Sequence, residues 1–89
     1  MATLNLVADY EHLRTINRVL GELERATELH GPMMSSHHAY GVILEEVDEF
    51  WDEVKKKREL RSKQKMKEEL VQIAAMCCRA IIDLKLDEA

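Results

Sequence analysis

The chain has 89 residues, 13 lysines and arginines, 17 aspartates and glutamates, and a formal charge of −4. So short a chain makes one small domain, and its acidic balance argues against nucleic acid as a partner. Scarce glycine, proline and aromatic residues, with leucine, alanine, glutamate, lysine and arginine prominent, point to an all-α class.

There is no signal-peptide pattern at the N-terminus and no apolar run of transmembrane length, so a soluble cytoplasmic protein with no membrane partner is expected. Cys77 and Cys78 are adjacent in an apolar run. Neighbours on a helix point about 100° apart, so they do not readily bridge each other. Two cysteines alone do not make a zinc site either, and both are expected as buried small hydrophobes.

The first predicted helix covers about 3–30. Leu13, Ile16, Leu20 and Leu23 form its stripe, led in by Leu6 and Tyr10, with Arg14, Arg18, Glu22, Glu24 and Arg25 off it. Gly21 lies inside this helix, where a close approach to a neighbour would explain it. Gly31-Pro32 ends the helix, glycine suiting the position after the last turn and proline being unable to continue it. Met33 and Met34 follow as a short apolar connection, and Ser35 or Ser36 is a fitting N-cap for the next helix.

That second helix covers about 36–57. Tyr40, Ile43, Leu44, Val47, Phe50, Trp51 and Val54 make one apolar stripe at helical spacing. Between them stand Glu45, Glu46, Asp48, Glu49, Asp52 and Glu53, six carboxylates in nine residues. Like charges at i,i+3 and i,i+4 repel with no interleaved cation to offset them. A bound divalent cation would relieve that repulsion; a solubilising acidic face is the other reading. His37 and His38 lie in the first turn, where adjacent histidines do not share a face as a metal pair. A ligand contact remains open to them.

A basic stretch follows, with Lys55, Lys56, Lys57, Arg58, Arg61, Lys63, Lys65 and Lys67. Cations at a helix C-terminus complement its dipole; beside an acidic helix they would also attract phosphate oxygens. The third helix covers about 62–86, with a stripe of Leu70, Ile73, Ala74, Cys77, Ala80, Ile81 and Leu84. Val71, Ala75, Met76, Cys78 and Ile82 fill most remaining faces, so 70–84 is apolar nearly all round. A helix like that is buried on both sides, and a homo-oligomer, as a dimer or a dimer of dimers, would supply the cover.

Glu46 and Glu49 stand at i,i+3, as do Glu69 and Gln72. If the two helices pack antiparallel about a turn near Glu59, position 46 levels with 72 and position 49 with 69. Their oxygens then converge in the groove. Hard oxygen ligands of this kind suit Mg²⁺ or Mn²⁺.

The runs HHAYGVILEEVDEFWDEVKKK and KEELVQIAAMCCRAIIDL resemble the MazG-like all-α nucleoside triphosphate pyrophosphohydrolases. The family signature is ExxE, a spacer, then ExxD. Glu46-Val47-Asp48-Glu49 matches the first half, and Glu69-Leu70-Val71-Gln72 the second except at its last position. The resemblance covers about 36–84. It implies a single MazG-like helical domain over 1–89, an antiparallel bundle completed by homo-oligomers. It also implies Mg²⁺-dependent cleavage of a nucleoside triphosphate to a monophosphate and pyrophosphate.

Gln72 stands where the family has aspartate, which leaves three formal charges in place of four. An amide oxygen still ligates Mg²⁺, though more weakly than a carboxylate.

Two functions follow. In the first, Glu46, Glu49, Glu69 and Gln72 hold the metal, and Glu46 and Glu49 carry the catalytic work. Lys55, Lys56 or Lys57 neutralises phosphate, while His38, Tyr40 and Trp51 are the candidates to line a base pocket; core packing is the other reading of Trp51. In the second, a non-catalytic helical protein keeps the fold and uses its apolar surface to oligomerise or to bind a partner.

Overall fold

The computed structural model describes residues 9–88 and is all-helical among them. Helix α1 spans Tyr10–Leu29, α2 spans Ser36–Val54 and α3 spans Lys63–Asp83. Short 3-10 turns lie at Arg58–Leu60 and Leu86–Glu88. Residues 3–8 of the first expected helix lie outside the described part, and the other two helices end about three residues earlier than expected. No helix among the described residues is long and apolar enough to cross a membrane.

The chain runs up, down and up, with α3 packed against both α1 and α2. Each connection has a local cause. His30 turns to an extended conformation, with its N–H still donating to the Ala26 carbonyl, and so ends α1. Glycine's left-handed freedom, the expected stop, is not used there, since no described glycine has a positive φ. Pro32 instead prevents the helix resuming and holds Gly31 out of the α region. The Ser35 hydroxyl then accepts the His38 N–H at 3.0 Å, which starts α2. Ser62 does the same for the Lys65 N–H at 3.0 Å and starts α3.

The corner between α2 and α3 is closed by Glu53. This residue is buried, accepts the Ser62 N–H at 2.8 Å and bonds the Lys56 ammonium at 3.0 Å. The Ser62 backbone N–H, and after it the Lys56 ammonium, hold its carboxyl below the usual glutamate range.

The core is thin and built from small or flexible residues: Ala26, Met33, Ala39, Ala75, Met76 and Ala80. Val19, Leu23, Val42, Ile43 and Leu84 pack around it. Alanines at Ala39, Ala75 and Ala80 let the backbones come close, at the cost of little apolar area per residue.

Both long stripes read from the sequence are turned relative to what the fold buries. On α2 the inward residues are Ala39, Val42, Ile43, Glu46, Phe50 and Glu53, while Tyr40, Leu44, Val47 and Trp51 are exposed. On α3 the buried positions are Glu69, Ala75, Met76, Arg79 and Ala80. Leu70 and Ile81 are exposed, and so is Cys77, contrary to its expected burial; Cys78 is half-buried. Gly21 faces open space, and a Cβ placed on it would meet nothing within 4 Å, so no close approach explains this glycine. On α2 and α3 the inward face carries charged residues; Glu53 closes the corner, and Glu46, Glu69 and Arg79 lie at the candidate site or the cavity beside it.

Candidate metal centre

Helices α2 and α3 bring Glu46, Glu49 and Glu69 together, with one carboxylate oxygen of each within 4.8 Å of the others. The expected antiparallel register accounts for this convergence. Glu46 and Glu49 lie one turn apart on α2, and Glu69 reaches them from the facing turn of α3. Glu69 is buried and Glu46 half-buried, while Glu49 opens to solvent.

The electrostatics of this cluster are unfavourable as it stands. The Oε2 atoms of Glu46 and Glu69 are both buried and have no hydrogen-bond partner. Burial, then the charges of Glu49 and Glu69, push the Glu46 carboxyl up to about 7. Burial and Glu49 also raise Glu69, against a weak counter-pull from Lys65, whose ammonium lies 3.8 Å away. Two carboxyls with raised proton affinity and orphaned buried oxygens, with Glu49 beside them, are a donor set that could hold a small hard cation.

Beside the cluster lies a cavity of about 480 Å³ at the end of the bundle where α1 and α2 are joined. Glu46, Glu49 and Gln72 line it. His38 lines it too. Its Nδ1 accepts the Met34 N–H at 3.1 Å, so a neutral ring carries its proton on Nε2. The imidazole is thereby fixed as a donor.

Comparison with known protein families, curated proteins and solved structures finds no match.

The other expected substrate residues are placed elsewhere. Trp51 is 56 % exposed, belonging neither to the core nor to the cavity wall. Lys55 pairs with Asp52 at 3.0 Å and Lys56 with Glu53 at 3.0 Å. Both lysines are therefore engaged by carboxylates of their own helix, Lys56 at the buried corner.

Four acidic or basic residues of the cavity, Glu22 and Arg25 from α1, Glu45 from α2 and Arg79 from α3, had no individual role assigned from the sequence, and neither had His30. Glu22 and Arg25 form an ion pair, with Arg25 Nε donating to Glu22 Oε2 at 2.9 Å. That bond holds the Glu22 carboxyl below its usual range. Nothing in the pattern of α1 marks this pair as part of a site. Arg79 did carry a signal, as the one charged residue between Leu70 and Ile82. Asp83 accepts the Met33 N–H at 2.9 Å and so ties the α1–α2 loop to the end of α3, well away from the carboxylates.

Proposed function

We propose that this protein is a Mg²⁺-dependent nucleoside triphosphate pyrophosphohydrolase of MazG-like type, with Mn²⁺ as an alternative ion. The observation that carries the reading is the convergence of Glu46, Glu49 and Glu69, with two buried, unpartnered oxygens, beside a cavity that Glu46 and Glu49 line. These residues fit a divalent cation, with Gln72 offering a neutral fourth oxygen from the cavity wall. When bound, the ion supplies a Lewis acid and a charge clamp for phosphoryl oxygens.

The chain's own groups divide the remaining work. Glu49 is the carboxylate open to solvent, and it orients the attacking water and takes its proton. That water adds to the α-phosphorus, the bond to the α–β bridging oxygen breaks, and pyrophosphate leaves. The Nε2–H of His38 donates to an acceptor oxygen on the substrate, which orients it without adding charge. The deciding experiment incubates purified protein with ribo- and deoxyribonucleoside triphosphates plus Mg²⁺ or Mn²⁺ and measures released pyrophosphate. No metal-dependent release from any of them would end this reading.

A second observation favours self-association. Tyr40, Leu44, Val47 and Trp51 form an exposed apolar ridge at i, i+4, i+7 and i+11 on α2, and Leu70 and Ile81 are exposed on α3. We infer a homodimer, or a dimer of dimers, that covers these residues. The same ridge would serve a non-catalytic oligomer, which is the alternative function. Metal-dependent turnover separates the two.

A further inference from the structure

Arg79 is the buried cation among the described residues, and neither the carboxylate cluster nor the Glu53 corner accounts for it. It is only 6 % exposed, yet it lines the same cavity. Glu69, Gln72, Met76 and Arg79 recur at i, i+3, i+7 and i+10, so one face of α3 runs from the cluster to the guanidinium.

The partners of Arg79 leave much of its capacity unused. Nη2 donates to the Gly31 carbonyl at 2.7 Å, and Nη1 lies 3.6 Å from the weakly accepting Met76 Sδ. Asp83 Oδ2 is 4.0 Å away and already accepts the Met33 N–H. A guanidinium offers five N–H donors, and a buried one is ordinarily matched by a carboxylate at bidentate distance. Here the one short bond goes to a neutral oxygen. Ten residues separate Glu69 from Arg79, about 15 Å along the helix axis, part of which the long arginine side chain spans. A ligand touching both ends must be elongated, metal-binding at one end and anionic at the other.

We propose that Arg79 receives the terminal phosphates of the polyphosphate chain and sets a preference for triphosphates over shorter chains. This rests on the metal reading given above. Cleavage would then leave pyrophosphate held between the ion and Arg79, and the monophosphate product would not depend on Arg79.

The test uses Arg79→Lys and Arg79→Gln, the lysine variant keeping a charge and a donor for the Gly31 carbonyl. Calorimetry would measure inorganic pyrophosphate and a nucleoside monophosphate binding to each protein, with and without Mg²⁺. Pyrophosphate affinity should fall about tenfold in Arg79→Lys and further in Arg79→Gln, as expected for loss of a charge-assisted bond. Monophosphate affinity should stay as in the wild type, and the triphosphate-to-diphosphate ratio of kcat/KM should fall in parallel. Equal weakening of both ligands, or no change in either, would show that Arg79 only clamps the Gly31 loop and would overturn the proposal. Pyrophosphate binding that needs Mg²⁺ but not Arg79 would also overturn it. Binding that needs Arg79 but not Mg²⁺ would instead support Arg79 and sink the metal reading.

Discussion

Replacing Glu46 with glutamine should stabilise the metal-free protein, an unusual outcome for a partly buried position. The glutamine keeps the shape of the side chain and removes a charge that burial, Glu49 and Glu69 all disfavour. The folded carboxyl sits at about 7 against an ordinary 4.5, so folding holds the proton more tightly than the unfolded chain does. Below pH 4.5 the carboxyl is neutral in both states and imposes no penalty. Stability is then lost as pH rises from 4.5 to about 7 and stays lost above that.

At about 1.4 kcal/mol per pKa unit the full penalty is at most about 3.5 kcal/mol, and solvent around a half-exposed carboxyl screens it to roughly 1–2 kcal/mol. About 1 kcal/mol moves the Tm of so small a domain by roughly 4–8 °C, so Glu46→Gln should melt roughly 5–15 °C higher at pH 8. Near pH 4, below that window, the two proteins should nearly coincide. The assay is a pair of thermal melts at the two pH values, repeated with Mg²⁺. Wild type should gain stability from Mg²⁺ at pH 8 by mass action, and the variant should lose most of that gain. A variant that melts no higher than wild type at pH 8, or differs from it equally at both pH values, would refute the reasoning.

Gln72→Asp should act in the opposite sense. It adds a fourth carboxylate to the groove, lowering the Tm of the metal-free protein at pH 8 while tightening Mg²⁺ and raising metal-dependent turnover; melts and a pyrophosphate assay read both. Glu53→Gln should lower the Tm without changing the Mg²⁺ response, because it loosens the α2–α3 corner and leaves the cluster intact. The lowered Glu53 pKa gives that corner its own pH dependence, with stability present above the ordinary glutamate range and lost as acid protonates the carboxyl. Val47→Glu, on the exposed ridge, should convert a dimer to a monomer in sedimentation velocity with helicity retained. A wild-type chain that sediments as a folded monomer would remove the case for the dimer.

The sequence by itself determined the three helices, their order and their punctuation. Those features are local: helical spacing of apolar residues, Ser35 and Ser62 in reach of an orphan N–H, and a Gly-Pro pair that a helix cannot cross. It also determined the carboxylate set, because i,i+3 pairs on two helices joined by a short turn have one antiparallel register that levels them. Which face of each helix turns inward was decided only by tertiary structure. On α3 an apolar run nearly all round gives no preferred face, and the side that is buried holds Glu69, Gln72, Arg79 and Asp83. On α2 the whole helix is turned by about one residue, some 100°, so that Glu46 and Glu53 point inward and Trp51 outward. Periodicity counts charge as a mark of the surface. In this fold the inward charges have specific work, in a carboxylate cluster, a corner lock and a loop clamp, and only the packing of one helix on another reveals it. The contributions of Glu22 and Arg25 depend in the same way on α1 lying beside α3, a long-range contact that no local pattern encodes.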